Sequence, residues 1–334
     1  MVTRVLVIGC LLLAAGVVPL EGRSADVIAL ESCASALPTM RGVREVILRK
    51  QESGAAGTPG GARRWQAWRR WVQPSPGRRW IRFPTGDVFA PPLADQKQPR
   101  FHTSYQRYNL DFGNFNVASV GFGENFGLAR RPGESIGSGM QVGISGAVFA
   151  IFNLDADSND LLNADYYIGF PLSWRRGRAS GRIRLFHLSS HLGYEFLLSP
   201  QPGPPVERIN LSYEAMEVLG SLEWRSFRIY GGAIRILHSV TPLERNRLQA
   251  GAEFRGRSLA KLGARPVVAL DLQAWNETDW DLDLSIKGGL RFPSPYGGAR
   301  SVQLFLEYFD GHVPHGHFYR LEAGYVGLGL AFSL

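Results

Sequence analysis

Residues Arg184–Glu195 read RLFHLSSHLGYE and place a histidine two positions before a serine. On an extended strand, residues two apart lie side by side on one face. The imidazole of His187 can then take the hydroxyl proton of Ser189 and leave an alkoxide-like nucleophile, the core of serine-hydrolase chemistry. A third group has to orient the histidine. Glu207, which shares its parity with Ile209 and Leu211 on the next strand, is the first choice; Asn210 has the opposite parity, and Glu195 lies in the intervening loop. A second set, Asp310, His312, His315 and His317, puts one carboxylate and three imidazoles within eight residues. Those groups suit a transition metal, although the spacing matches no structural zinc pattern. A third set begins at Asp155 and Asp157 and continues through Asn159 and Asp160, like the opening of a calcium loop. It lacks the glycine at the sixth position and has Tyr166 where the bidentate glutamate belongs. Calcium or another divalent cation is therefore the one cofactor class these residues suggest, and none is required.

The elements that carry these groups are strands. Residues 325–334 read YVGLGLAFSL, with Val326, Leu328, Leu330, Phe332 and Leu334 on one face and small or polar residues on the other. The same period of two recurs through most of the chain from Phe101 onward. Met140, Val142, Ile144 and Val148 oppose Gln141, Gly143 and Ser145; Leu282, Leu284 and Ile286 oppose Asp283, Ser285 and Lys287. Twelve such segments can be counted: 101–108, 117–128, 139–153, 162–174, 182–191, 207–223, 227–238, 247–256, 266–276, 280–292, 301–309 and 318–334. Long strands with one apolar and one charged face predict an all-β fold, a transmembrane antiparallel up-and-down β-barrel of about 12 strands of the outer-membrane type. A row of Arg182, Arg184, Glu214, Glu253, Arg255, Asp271, Asp281, Asp283, Lys287, Arg291 and Glu307 is assigned to the lumen. Mixed signs in so narrow a barrel predict side chains that pair and fill it. If Arg182 and Arg184 face inward, His187 and Ser189 face lipid.

Ahead of the barrel, residues 1–25 read as a signal peptide, with Arg4, an apolar stretch from Val5 to Val18 and a small-residue exit. Export to the bacterial outer membrane follows. Cys10 would leave with the signal, so Cys33 has no partner for a disulfide. Residues 26–99 read as a basic, Gly/Pro/Arg-rich periplasmic leader, largely disordered, and residues 100–334 as the barrel domain. Residues 1–100 hold 15 Lys and Arg against 7 Asp and Glu, which accounts for the whole formal charge of +8. The barrel is neutral, so the basic balance gives no reason to expect nucleic acid. The partners expected are outer-membrane lipid and, through the C-terminal strand, the barrel-assembly machinery; a homo-oligomer is compatible with the pattern.

The His-x-Ser spacing and its outward placement resemble outer-membrane phospholipase A and the lipid A deacylase barrel, a resemblance that implies acyl-ester cleavage with His187, Ser189 and an orienting polar residue. A broader resemblance covers Phe83 to Leu334. FPTGDVFAPPLADQKQPRF (83–101), GAVFAIFNLD and NADYYIGFPLSWRRG (within 146–177), HLSSHLGYEFLL (187–198), RINLSYEAMEVL (208–219) and LEYFDGHVPHGHFYR (306–320) are together similar to a bacterial family catalogued as domain of unknown function 1207. That family implies an outer-membrane-like barrel and supplies no activity. Three functions are then carried forward. The sequence favours a structural or surface barrel with a filled lumen, against a lipid-modifying acyl hydrolase and a passive small-solute channel.

Overall fold

Strict alternation gives each strand one face for lipid and one for the interior, and only closure of the sheet pairs every backbone amide between them. The computed structural model describes residues 79–333, apart from 136, 199–207, 260 and 295–299. The signal peptide, most of the leader and Glu207 therefore lie outside the described residues. A two-residue strand β1 (Ile81–Arg82) precedes twelve long ones: β2 (Phe101–Leu110), β3 (Gly113–Pro132), β4 (Gly139–Asn153), β5 (Leu161–Arg176), β6 (Ala179–Leu192), β7 (Ser212–Trp224), β8 (Phe227–Ser239), β9 (Asn246–Arg255), β10 (Arg265–Trp275), β11 (Leu282–Pro293), β12 (Ser301–His312) and β13 (Glu322–Ser333). Each pairs antiparallel with the next, and β13 returns to β2 with Phe332 opposite Phe101 and Gly324 opposite Asn109. The barrel is closed, twelve-stranded and of the outer-membrane type.

The strands occupy the segments the alternation predicts. The ends differ for local reasons. The connection expected over 109–116 shrinks to a turn at Asp111–Phe112, because Gly113 adopts a φ of +146° that lets β3 start at once. Residues 318–321, expected in the last strand, instead form part of a folded-in loop. Outward positions such as Leu306, Leu282 and Val326 are 65%, 60% and 58% exposed, and they form an apolar band around the outside of the barrel.

One rim carries the turns 177–178 and 225–226, and the other carries the loops 154–160 and 313–321. We refer to them as the turn rim and the loop rim.

The lumen is filled, and part of the filling comes from an unexpected place. Residues 87–100, read from sequence as the end of the leader, run inside the barrel. Val88, Phe89, Pro92, Ala94, Asp95 and Gln98 are buried there. Phe89 sits between the guanidinium carbons of Arg182 and Arg228, 5.0 and 4.8 Å from its ring centre. The backbone of this plug is held at both ends of its course. Arg175 Nε donates to the Val88 carbonyl, the Leu93 amide donates to Glu253 Oε1, and Ser285 Oγ donates to the Ala94 carbonyl, each at 2.8 Å. Lys97 reaches the buried carboxylate of Asp165 on β5. Prolines and a missing strand partner deny this segment a place in the sheet, so its polar backbone must find side chains. The charged lumen supplies them.

The wall pairs its own charges as well. Glu217 accepts from Arg182 Nε at 2.7 Å and from Arg184 Nη2 at 2.5 Å, Lys287 pairs with Glu307 at 3.2 Å, and Arg228 with Glu253 at 3.3 Å. One lumen assignment is corrected. Glu214 faces outward, because Tyr213, Ala215, Glu217 and Leu219 are the buried row of β7 and Glu214 has the other parity. Asp281 is corrected too: it lies in the exposed turn before β11, at the loop rim.

Candidate functional site

The site is built on the loop-rim halves of β6 and β7. On β6, Arg182, Arg184, Leu188 and Ser190 are buried in the interior, so Ile183, Leu185, His187, Ser189 and His191 share the outward face. The pairing runs unbroken along β6, from Ala179 opposite Arg176 to Leu192 opposite Asn163. A bulge would have turned the pair inward. None is present, so His187 and Ser189 face away from the lumen.

Cross-strand register supplies the third group. His187 stands directly opposite Glu214 on β7, and Ser189 opposite Ser212. Glu214 Oε1 lies 3.2 Å from His187 Nδ1, and its Oε2 lies 2.8 Å from His238 Nδ1 on β8. A carboxylate only accepts, so the hydrogen sits on Nδ1 of His187 and its Nε2 keeps a free lone pair. Ser189 Oγ lies 3.1 Å from Nε2 of His191, whose ring meets Tyr166 edge-on at 5.6 Å. The outward patch is thus Ser189 between two histidines, one of them oriented by a carboxylate. Ile168, Leu185 and Val218 surround or underlie it on the same face, all apolar. The carboxylate that reaches His187 is Glu214, which sequence reasoning had placed in the lumen. Glu207 lies outside the described residues, Asn210 only accepts from Thr241 Oγ1 through its carbonyl at 2.9 Å, and Glu195 sits on a short helix, α1 (Tyr194–Leu198).

The acidic loop does not gather round a common point. The Asp155 carboxylate accepts from the Asn116 backbone amide at 2.7 Å and from its side chain at 2.5 Å, contacts that hold its pKa below the usual carboxylate range. It ties the loop to the start of β3, while Asp157 is left out of those contacts.

The histidine-rich loop is separated rather than clustered. Asp310 points outward from β12 and is exposed. His315 turns into the interior, where its Nδ1 lies 3.3 Å from Lys97 Nζ. His317 Nε2 donates to the Ile209 carbonyl at 2.8 Å and its Nδ1 lies 3.1 Å from Ser190 Oγ. Burial depresses the pKa of both, that of His315 to about 3 with the help of the Lys97 ammonium. His312 alone stays at the rim.

No curated protein has a matching sequence. Among solved structures, the chain is similar to outer membrane phospholipase A from Escherichia coli at 12% identity and a TM-score of 0.47, over 71% of this chain and 91% of that one. The Salmonella typhi outer membrane phospholipase dimer with bound calcium gives 12% and 0.46 over 75% and 94%, and the KdgM porin 6% and 0.37 over 70% and 99%. At these identities and scores the likeness describes the barrel architecture and nothing finer. The family model described as "Protein of unknown function (DUF1207)" matches residues 77–334, and the chain belongs to that family.

Proposed function

We propose that the protein is an outer-membrane acyl-ester hydrolase acting on membrane lipid. The observation that carries the reading is the contact between His187 Nδ1 and Glu214 on the lipid-facing surface, with Ser189 two residues along the same face. An outward, partly exposed histidine with a carboxylate on one nitrogen is poised to act as a base through the other. Ser189 would move its hydroxyl from His191 to His187 by a side-chain rotation. Its oxygen then attacks the ester carbonyl while His187 Nε2 takes the proton. Collapse of the tetrahedral intermediate returns that proton to the departing alcohol and leaves an acyl-serine, which water cleaves by the same proton route in reverse. The patch lies toward the loop-rim end of β6, above Ile183 and Leu185, the level at which acyl esters meet head groups. The substrate class that fits is a glycerophospholipid or an acylated glycolipid.

The reading is tested on the refolded barrel in detergent micelles, with phospholipid and with lipid A as substrates. Ser189→Ala is expected to lower ester cleavage by at least about 10³-fold with the heat-shifted gel mobility of a folded barrel unchanged. His191→Ala is expected to retain most activity, which separates the carboxylate-bearing histidine from its neighbour. Absence of cleavage by a folded wild-type barrel would end this reading and leave the filled structural barrel. The passive-channel alternative fits least, because residues 87–100 and the paired charges occupy much of the interior; a cavity of about 70 Å3 near Lys97 and Asp165 is among the spaces that remain.

A further inference from the structure

We propose that Asp281, His312 and Glu322 form a binding site for a zinc-class divalent cation at the loop rim. The three come from separate elements: the turn before β11, the last residue of β12 and the first residue of β13. One ligand atom from each lies within 4.8 Å of the other two, with His312 Nε2 3.9 Å from Glu322 Oε1. Four-coordinate zinc, with bonds of about 2.1 Å, needs ligand atoms about 3.4 Å apart. Asp281 and Glu322 are exposed and free to rotate in by the remaining distance, up to about 1.4 Å.

Two further features point to a cation. The first is how His312 is held. Asp283 Oδ1 accepts from the His312 backbone amide at 2.7 Å and lies 3.0 Å from its Nδ1. The contact fixes the tautomer that leaves Nε2 bare and aims it at the two carboxylates, as an outer carboxylate does for a metal-binding imidazole. Gly311 makes this approach possible. With φ at +138° it puts no side chain where one would stand 2.5 Å from Asp283 Oδ1. The second feature is charge. Asp281, Asp283 and Glu322 converge on one imidazole, and among the described residues no lysine or arginine pairs with any of them. Three carboxylates crowded in this way repel one another, and a dication offsets that repulsion.

The ligand set selects the ion class. One imidazole with two carboxylates and an open position suits zinc and its neighbours, whereas calcium and magnesium prefer all-oxygen shells with more ligands. A cation here would join β11, β12 and β13 where the last loop turns down into the barrel mouth.

The test is isothermal titration of Zn2+ into tag-free barrel refolded in detergent, with Ca2+ and Mg2+ titrated separately. One zinc site is expected, weakened at least 10-fold in each of His312→Ala and Glu322→Ala. Asp283→Asn should weaken it by about 10- to 100-fold, because it loosens the orientation of His312 and removes one of the three charges while leaving the ligand atoms in place. Glu322 is a rim side chain 77% exposed, so its variant folds even if the histidine variant does not. Co2+ should give the strong visible absorption of a four-coordinate site, absent in His312→Ala. No zinc binding by the wild type, binding indifferent to Glu322→Ala, or a preference for calcium would each overturn the assignment.

Discussion

The two faces of β6 and β7 carry polar groups for different reasons. Inside, Arg182 and Arg184 share the carboxylate of Glu217, all three are buried, and Phe89 of the plug stacks on Arg182. These charges help fill the lumen: two guanidinium groups share one carboxylate, and Arg182 Nη1 also donates to Gln98 Oε1 of the plug at 2.9 Å. Outside, His187, Ser189, His191 and Glu214 occupy positions that Ile183, Leu185 and Val218 show to be apolar elsewhere on the same strands. Apolar side chains there would leave the sheet, its register and its closure untouched. The inner charges are explained by the fold; the outer ones are not, and the proposed hydrolase reading builds on that difference.

Substitution of the two glutamates should separate these roles. Glu214→Gln replaces the carboxylate by an amide whose NH2 can donate to His187 Nδ1 and favour the wrong tautomer, and ester cleavage should fall by about 10²- to 10⁴-fold, with the unfolding midpoint in urea unchanged. Glu217→Ala does the reverse. It strands two buried guanidinium groups, and breaking such a site costs about 3–5 kcal/mol, read as a large drop in the urea midpoint. Cleavage per folded molecule should stay near wild type. If Glu217→Ala silenced cleavage at full stability, or Glu214→Gln unfolded the barrel, the division between the faces would collapse.

The same pair shows what the sequence discloses and what it hides. Period two is a local property, so the strands and the apolar band could be read directly, and the outward placement of His187 and Ser189 followed on the condition that Arg182 and Arg184 face the lumen. On β7 the alternation itself is ambiguous. Tyr213, Ala215 and Leu219 point inward while Ser212, Glu214 and Met216 point outward, so apolar character does not decide the face. Reading Glu214 as luminal hid the partner of His187, which register alone reveals. A useful signal was present: Glu217 sits opposite Arg184, and His187 opposite Glu214, so pairing charges across the hairpin would have set the parity. The plug was hidden for a different reason. Its contacts run to residues as distant as Glu253 and Ser285, and a proline-rich segment without periodicity carries no local mark of what will surround it. The histidine loop looked like one metal site because its residues are close in sequence. Gly311 and the folded-in turn then send His312, His315 and His317 to three different surroundings.

The smallest effect expected is a proton-linked loosening of that loop. Val313, His315, His317, Phe318 and Tyr319 are buried in the barrel mouth, and Phe318 packs edge-on against Phe196 at 5.4 Å. His315 faces Lys97 and Asp165, and His317 faces Ser190; both imidazoles are kept neutral chiefly by burial, His315 down to about 3. In a released loop each would titrate near the ordinary value of 6.5. The released form therefore binds protons below pH 6.5 that the closed form resists binding, His315 until near pH 3, and closure is weakened as pH falls below 6.5. At about pH 4.5 the His315 contribution alone is about 2 to 3 kcal/mol. Amide exchange across 313–321, corrected for the intrinsic pH dependence, should show protection high at neutral pH and falling through the acidic range. His315→Phe should flatten that slope. A loop equally protected at both ends of the range would mean that Lys97 and Asp165 relax around a charged His315, and the mouth of the barrel would then be softer than its wall.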